Sequence, residues 1–309
     1  MAAHLDLTAR IGSVVLPNPV MTASGTAGHG DELGRQFALS DLGAVVVKSL
    51  SVEPWPGNPA PRLHQAPGGN MLNSVGLQNP GVAAWLDDEL PALVAAGARV
   101  VASIWGRSVA DYEKAAAALA GAGREVVAVE VNLSCPNLEG GRQMFAHSPT
   151  ATAEVVAATA ACGRPRWAKL SPNALDRLVD AAAAALDAGA EALTLVNTLM
   201  GMAIDPETRS YRLGGRGGGL SGPGLHPLAV RAVHDCRAAL PSAPIVGVGG
   251  VASGEDAIEL ILAGASAVQV GTATFRDPRA PARILAELAR WCRRHRVRRL
   301  ADLIGAVHG

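Results

Sequence analysis

Short runs of apolar and β-branched residues alternate along the chain with longer amphipathic segments rich in alanine and leucine. The short runs are nearly continuous in their apolar character, which is typical of strands buried on both faces of a parallel sheet. The predicted strands span 19–25, 44–49, 100–106, 126–134, 166–171, 192–198, 244–250 and 267–273.

A helical pattern follows each strand, and several of these patterns begin after Ser or Asp and end in Gly, as capped helices do. They span 31–39, 81–98, 108–123, 148–163, 174–190, 226–240, 253–265 and 278–295. Eight strand–helix units predict an α/β fold, a (β/α)8 TIM barrel forming a single domain over 1–309. A doubly wound open sheet would carry phosphate-binding glycines after its first strand. Here the glycine-rich turns follow the seventh and eighth strands, which favours the barrel.

Four segments fall outside this rhythm. Residues 5–19 predict an N-terminal β-hairpin that caps the closed end of the barrel. The long connections 51–80, 136–149 and 199–222 follow strand ends on the C-terminal face, where barrel enzymes hold their active sites. Long ordered connections in compact folds are more often functional than decorative, so we expect active-site loops there.

Composition narrows the classes of function. The chain of 309 residues has 49% hydrophobic residues and zero formal net charge, so nothing indicates binding to nucleic acid or to an anionic membrane. Without a secretion signal or an apolar run of about 18 residues, the expected location is the cytoplasm. The four cysteines, at 135, 162, 236 and 292, form no C-x-x-C pair, so we expect free thiols and no metal site. Cys162, Cys236 and Cys292 lie in helical patterns, which favours packing roles.

Glycine-rich turns indicate a phosphate site. Gly247–Val251 ends the seventh strand and Val270–Ala273 ends the eighth. Barrels commonly bind a phosphate between these loops through backbone N–H groups, and Thr272 adds a hydroxyl donor. Gly218–Gly224 predicts another turn that exposes the backbone. The alternative for each turn is a tight connection without a ligand.

Polar side chains close several of the apolar strands. Lys48 and Lys169 each end a strand, and burying a lysine there is costly unless it meets an anion or carbonyl; the alternative is a solvated strand end. Amides gather at the same predicted rim: Asn73, Asn79, Asn132, Asn137 and Asn197. Amides pair with alternating N–H and C=O groups, as on a planar imide-like substrate. Taken singly, each is equally typical of a turn or a cap.

Cys135 stands between Asn132 and Asn137, just before a proline, so a turn at the end of the fourth strand is predicted. No histidine of the chain falls in a recognisable triad context. A thiol at the rim near a lysine can act as a general base, because positive charge lowers its pKa from about 8.5. A packed thiol is the alternative.

The motifs "GNPAPRL", "NSVGLQNPG", "NLSCPN", "KLSPN", "NTLMG", "GGLSGP", "GVGGV" and "AGASAVQVGTA" occur in this order over almost the whole chain. In this it resembles the class 1 dihydroorotate dehydrogenases, and "GLQNPG" and "NTLMG" look most like class 1B, the catalytic subunit of the NAD-linked enzyme. The resemblance implies FMN-dependent oxidation of (S)-dihydroorotate to orotate in the de novo synthesis of the pyrimidine nucleotide UMP, with one FMN per chain.

The resemblance also implies site residues. Cys135 would remove the C5 proton while a hydride leaves C6 for the flavin, and Lys48 would contact both substrate and flavin. The positions that match the substrate site are Lys48, Asn73, Ser74, Val75, Gly76, Leu77, Asn132, Asn137, Asn197 and Thr198. Those that match flavin contacts are Ser24, Lys48, Ser49, Ser103, Asn132, Lys169, Val196, Gly222, Gly249, Gly250, Gly271 and Thr272. Leu138–Ser148 matches a lid over the substrate.

The chain departs from the family pattern at a few positions. Relatives commonly end the third strand with an asparagine that meets the flavin, whereas this chain has Ser103, with Trp105 nearby. Arg142 replaces a lid glycine, and "TAGHG" replaces a turn that usually contains an aromatic residue. These changes bear on flavin affinity and on the electron acceptor.

Partners follow from the same resemblance. Class 1B chains form a homodimer that joins a second subunit carrying FAD and a [2Fe–2S] cluster in a heterotetramer; this chain lacks the cysteine cluster to hold that centre itself. Three alternatives stay open. One is a related FMN-dependent reductase like dihydropyrimidine dehydrogenase, which would more often read "SCPH", so Asn137 argues against it. The others are a fumarate-linked class 1A enzyme and a non-catalytic barrel that binds a phosphorylated ligand.

Overall fold

The computed structural model describes residues 5–134 and 144–309. Its strands in chain order are β1 (Ala9–Ile11), β2 (Val14–Leu16), β3 (Val20–Thr22), β4 (Val45–Val46), β5 (Leu63–Ala66), β6 (Asn70–Asn73), β7 (Val100–Ile104), β8 (Val126–Asn132), β9 (Arg166–Lys169), β10 (Ala192–Leu195), β11 (Leu199–Met202), β12 (Ile204–Asp205), β13 (Ser210–Tyr211), β14 (Gly217–Ser221), β15 (Ile245–Val248) and β16 (Ala267–Val270). The α-helices are α1 (Val82–Ala84), α2 (Leu90–Ala95), α3 (Val109–Ala118), α4 (Pro149–Ala158), α5 (Leu178–Asp187), α6 (His226–Ala239), α7 (Gly254–Ala263), α8 (Ala273–Arg276) and α9 (Ala280–Arg294).

Eight of the strands form one parallel sheet, in the order β3-β16-β15-β10-β9-β8-β7-β4. The sheet closes between its two end strands. Met21 and Ala44 form a parallel bridge there, and the Thr22 hydroxyl accepts from the backbone N–H of Val46 at 2.8 Å and donates to its carbonyl at 3.1 Å. The predicted TIM barrel is therefore confirmed, whereas the prediction of one domain over 1–309 stays a prediction.

The hairpin of β1 and β2 caps the barrel, as predicted. Ala9 pairs with Leu16 and Ile11 with Val14. These four side chains are buried in one cluster with residues of the barrel strands such as Met21. The cluster lies at the N-terminal ends of the strands. Burying this apolar face closes one end of the barrel to solvent. The other end is left for the long connections.

Capping residues position the surrounding helices. Ser108 begins α3 in a capping box with Asp111, and Ser253 begins α7 in the same way with Asp256. Each box satisfies N–H groups that the first helical turn leaves free. Within the described residues, no helix is long and apolar enough to cross a membrane.

The helix predicted over 31–39 is wrong. The segment forms two short 3-10 turns, Glu32–Arg35 and Leu39–Asp41. Gly34 lowers the helical propensity, and no residue of the first turn is buried, so packing offers little compensation. The helix predicted over 81–98 forms in three pieces. A π-helical turn, Trp85–Glu89, joins α1 to α2 next to Pro91, which has no N–H for the regular ladder.

Two of the long connections build a second sheet over the barrel mouth. Its order is β11-β14-β6-β5, all antiparallel, and β6 pairs with β14 through Leu72 and Leu220. The turn predicted over Gly218–Gly224 is therefore wrong for its first half, which is strand. A Cβ at Gly218 would overlap the Asn73 carbonyl oxygen and one at Gly219 the Thr198 hydroxyl, so the glycines permit this close approach. The turn itself starts at Gly222, with φ of 106°.

Candidate active site

A pocket of about 450 Å³ opens at the C-terminal end of the barrel, beneath the second sheet. Most of the predicted site residues line it. From the predicted substrate set these are Lys48, Asn73, Ser74, Val75, Gly76, Leu77, Asn132, Asn197 and Thr198. From the predicted flavin set these are Ser24, Lys48, Ser49, Asn132, Lys169, Val196, Gly222, Gly249, Gly250, Gly271 and Thr272. Cys135 and Asn137 lie outside the described residues.

One wall of the pocket is the loop from Asn73 to Leu77. Trp55 donates its indole N–H to the Gly76 carbonyl at 2.8 Å, and Asn58 donates its amide to the Ser74 hydroxyl at 3.1 Å. Gly76 and Leu77 have φ of 73° and 63°, so the loop turns sharply here. These bonds come from the same long connection, which therefore presents the loop to the pocket as a supported unit.

The predicted amides separate into two roles. Asn79 does not line the pocket; its carbonyl oxygen accepts from the backbone N–H groups of Ser51 and Gly81 at 3.0 and 2.9 Å, so it stabilises a turn. Asn132 lines the pocket, but its amide donates to Ser49 at 3.2 Å and its oxygen accepts from the Ser134 hydroxyl at 2.5 Å. Asn197 differs, because its buried side-chain oxygen has no partner among the described residues. That oxygen can accept a hydrogen bond from a ligand N–H.

Lys48 supplies positive charge at the rim. Burial lowers its pKa from the ordinary lysine value, and the Arg62 guanidinium lowers it further. The pKa of nearby His29 falls to about 4 through burial and the charge of Lys48, although Glu32 opposes this shift. The imidazole is therefore neutral at pH 7. Burial and the nearby Arg62 destabilise the charged form of Lys48. An anion bound next to Lys48 would stabilise that form.

The glycine turns line the same pocket. A Cβ on Gly249 would lie 2.7 Å from the Ala229 Cβ, and one on Gly250 would lie 2.6 Å from the His226 Cβ. Nothing larger than glycine fits these positions, so bare backbone faces this part of the pocket. Thr272 adds a hydroxyl, which donates to Ser221 at 2.7 Å. These residues fit a phosphate group, which backbone N–H groups bind well.

His226 supports one of these glycine turns. Its Nδ1 atom lies 2.9 Å from the Gly249 carbonyl oxygen, and its Nε2 atom lies 3.1 Å from a carboxylate oxygen of Glu259. The ring thus connects the start of α6 to the turn after β15. These contacts give His226 a structural role in holding the turn, so its position does not call for a catalytic triad.

Glu130 and Gln269 were missed by the sequence predictions. Both are fully buried in the barrel, where Lys169 donates to Glu130 and to Gln269 at 3.1 Å each. Gln269 also donates to Glu130 at 2.6 Å. A lone acid within the apolar run "VVAVEVN" was the available signal, because a carboxylate is rarely buried without a partner.

The chain on either side of the predicted cysteine turn comes back to the pocket. Ser134, which precedes Cys135 in the sequence, lines the pocket, and so does Met144. Phe145 is buried edge-on against Tyr112, and the Ala146 N–H donates to the Leu133 carbonyl at 2.9 Å. Of the predicted lid Leu138–Ser148, residues 144–148 are thus anchored to the barrel, and residues 138–143, including Arg142, lie outside the described part.

The other three cysteines have the packing roles predicted for them. Cys162, Cys236 and Cys292 are free and at most 1% exposed. Burial raises the pKa of each thiol, that of Cys236 to about 12, where Asp235 adds to the shift. Such thiols hold little thiolate at neutral pH and are poor nucleophiles or bases.

The sequence profile described as "Dihydroorotate dehydrogenase" matches residues 6–291 of this chain. The chain belongs to the dihydroorotate dehydrogenase family. A "Dihydroorotate dehydrogenase B (NAD(+)), catalytic subunit" from Pelobacter propionicus is 45% identical over 303 residues, which cover 98% of each chain. A Geobacter protein of the same name is 44% identical with the same coverage. These relatives confirm the predicted dihydroorotate dehydrogenase and its likeness to class 1B.

One relative at the same level of identity carries a different name. A "Putative dihydroorotate dehydrogenase A (fumarate)" from Solibacter usitatus is 45% identical over 306 residues, 98% of each chain. Among solved structures, a dihydroorotate dehydrogenase from Eimeria tenella in complex with ferulenol is similar, with a TM-score of 0.77 and 23% identity. It covers 98% of this chain and 89% of its own, and it supports the barrel fold.

Ser103, which departs from the dihydroorotate dehydrogenase pattern, does not line the pocket. It is fully buried, its Oγ atom lies 2.9 Å from that of Ser49, and it donates to Glu130 at 3.4 Å. It therefore lies behind Ser49, in the polar interior of the barrel. Its predicted contact with a flavin stays a prediction that the pocket lining does not support.

Trp105 also lies away from the lining. Its ring is edge-on to Trp55 with centroids 6.5 Å apart, and the Arg107 guanidinium lies 3.6 Å from the centre of the Trp55 ring. This stacking favours one position of the Trp55 indole. Because Trp55 holds the Gly76 carbonyl, the unusual tryptophan supports the pocket wall from behind.

Proposed function

We propose that this chain oxidises (S)-dihydroorotate to orotate with FMN as its bound cofactor. The observation that carries the proposal is one pocket whose lining combines two chemically different sets of residues. One set is Lys48, the loop from Asn73 to Leu77 and the unpaired oxygen of Asn197. The other set is the glycine turns, and Lys169 lines the same pocket. The names of the relatives support the same reaction.

The residues present fit FMN. Backbone at Gly249, Gly250 and Gly271, with the Thr272 hydroxyl, would hold the phosphate, and Lys169 and Ser49 would meet the ring. Bound FMN supplies an acceptor for the hydride that leaves C6 of the substrate. The pocket needs to provide only the orientation of the substrate and a base for the proton at C5.

Each part of the substrate has a candidate partner. Lys48 would offer its ammonium to the substrate carboxylate, and Asn73 and Asn197 would offer amide groups to the ring's N–H and C=O groups. Cys135, as thiolate, takes the proton from C5, and the C5–H and C6–H bonds are replaced by the C5=C6 double bond. The position of Ser134 on the pocket wall supports this role, because Cys135 is the next residue in the chain.

We further propose a homodimer that works with a partner subunit carrying FAD and a [2Fe–2S] cluster, with NAD as the final acceptor. The support is the naming of the relatives from Pelobacter and Geobacter as catalytic subunits of an NAD-linked enzyme. Fumarate is the second candidate acceptor, favoured by the relative from Solibacter. A cytoplasmic location stays a prediction.

The test is anaerobic mixing of the FMN-loaded protein with (S)-dihydroorotate. Loss of the visible flavin absorbance, with orotate formed in equal amount, is expected. Flavin that stays oxidised with dihydroorotate, or a protein that takes up no FMN, would overturn the proposal. Adding fumarate, or NAD with a co-purified partner, to the reduced protein then identifies the acceptor that restores the absorbance.

A further inference from the structure

The carboxylate of Glu130 lies inside the barrel, behind the pocket. Its side chain is fully buried and does not line the pocket. It accepts hydrogen bonds from Lys169 at 3.1 Å, Gln269 at 2.6 Å and Ser103 at 3.4 Å. Burying a charge at this depth costs several kcal/mol unless a partner compensates it, and Lys169 is that partner.

Lys169 connects this carboxylate to the pocket. Its ammonium donates to Ser24 at 3.2 Å, to Glu130 at 3.1 Å and to Gln269 at 3.1 Å, so each of its three N–H groups has a protein acceptor. Lys169 is only 5% exposed and lies on the pocket lining. The Lys169 ammonium is therefore held at a fixed position on the pocket wall. The Glu130 carboxylate lies directly behind it.

Gln269 fixes the positions of Glu130 and Lys169 relative to each other. Its amide donates to one carboxylate oxygen of Glu130 while its own carbonyl oxygen accepts from Lys169. The three side chains come from β8, β9 and β16, so they bridge the barrel interior. Because the interior has a low dielectric, a charge at Glu130 is felt at the pocket wall far more strongly than it would be in water.

We propose that Glu130 is a positioning residue that acts through Lys169 to keep the reduction potential of bound FMN low. This inference rests on the proposed function, since it needs FMN in the pocket. Reduction adds negative charge to the flavin, so a cation beside the ring favours the reduced form. Glu130 orients the Lys169 ammonium and offsets part of its positive charge. The ammonium then favours reduced over oxidised FMN less strongly.

The test measures the reduction potential of bound FMN in the wild-type protein and in Glu130→Gln. The variant keeps the shape and most hydrogen bonds but loses the negative charge. We expect reduced FMN to gain at least tenfold in binding relative to oxidised FMN, a positive shift of about 30 mV for a two-electron couple. The matched control is Thr194→Val, an uncharged change at a fully buried residue of the neighbouring strand, which should leave the potential unchanged.

A double variant tests the route. In a Lys169→Gln background, Glu130→Gln should produce less than a third of the shift, because the residue through which it acts is gone. A full shift in that background would refute positioning through Lys169. Replacing both charges also removes the unpaired buried charge that endangers folding of the single variant.

Glu130→Asp covers the case in which Glu130→Gln does not fold. The shorter side chain withdraws the carboxylate from Lys169, so a positive shift from the wild-type potential is expected. A potential equal to wild type in every FMN-loaded Glu130 variant overturns this inference alone. A wild-type chain that takes up no FMN overturns the proposed function, and this inference with it.

Discussion

The Tyr112 hydroxyl donates a hydrogen bond of 2.6 Å to the backbone carbonyl of Asn132. This bond ties helix α3 to the last residue of β8, three positions before Cys135. The same ring packs edge-on against Phe145, with centroids 5.5 Å apart. One side chain thus supports both flanks of the segment that carries the proposed base.

Replacing Tyr112 with Phe tests this support. The ring contact with Phe145 is kept and the bond to Asn132 is lost, so the free energy of unfolding should fall by about 1 kcal/mol, the usual net value of such a bond. Urea unfolding at pH 7 measures it. Tyr112→Leu, which also removes the ring contact, should cost clearly more; equal losses for the two variants would contradict separate roles for hydroxyl and ring.

Cys135→Ala tests the base. Reduction of bound FMN by dihydroorotate should slow by roughly 10²–10⁴-fold, the usual contribution of a positioned general base, while orotate binding stays nearly intact. Stopped-flow absorbance gives the rate and titration of the flavin spectrum gives the affinity. Cys292→Ala, at a buried thiol in α9, is the matched control and should keep the wild-type rate. A Cys135→Ala rate within threefold of wild type would remove the residue from the mechanism.

Trp55→Phe tests the support of the pocket wall. The change keeps an aromatic ring beneath Arg107 but removes the N–H that holds the Gly76 carbonyl. We expect orotate to bind about fivefold more weakly, as the loss of about 1 kcal/mol of positioning implies, with FMN affinity unchanged. The control is Trp291→Phe, at a ring stacked on His295. Undiminished orotate affinity in Trp55→Phe would show that the loop holds its shape without this bond.

His29 makes stability depend on pH. Its folded-state pKa is about 4, against the ordinary 6.5, chiefly because it is buried and then because Lys48 is near. Between these pH values the unfolded chain binds a proton that the folded chain does not, so stability falls as the pH drops from 6.5 to 4.

The His29→Asn variant has no imidazole at this position, so this proton is no longer taken up on unfolding. From pH 7 to pH 5, its free energy of unfolding should fall by about 1 kcal/mol less than that of wild type, a figure reduced to allow for the partial exposure of the imidazole. Urea unfolding at both pH values measures the difference. Parallel losses in the two proteins would mean that His29 does not couple folding to pH.

The local pattern predicted the barrel because each strand and its following helix are adjacent in sequence. The second sheet could not be found in that way, since Leu72 pairs with Leu220 across almost half the chain. The glycines of β14 resemble a turn in the sequence. They are needed because the Asn73 carbonyl and the Thr198 side chain lie too close for a larger residue. Contacts so distant in sequence leave no periodic signal.

The site shows the same limit at single residues. Asn73 and Asn79 belong to one motif, yet the first lines the pocket and the second holds a turn. Ser103 lies next to the last residue of β7, much as Lys169 closes β9, but it lies behind the pocket lining. Glu130 was within reach of sequence reasoning, because an acid in an apolar strand calls for a buried partner. Its partner Gln269 was not, since amides carry no such signal.

The pairing of β6 with β14 joins two connections that leave different barrel strands. Each connection alone would be a surface loop free to fluctuate on its own. Because a ladder joins them, we expect the two connections to unfold locally as one cooperative unit. Amide protons of Met71–Asn73 and Gly219–Ser221 should then exchange with solvent with similar protection. A substitution that loosens one of these connections should therefore also lower the protection of the other.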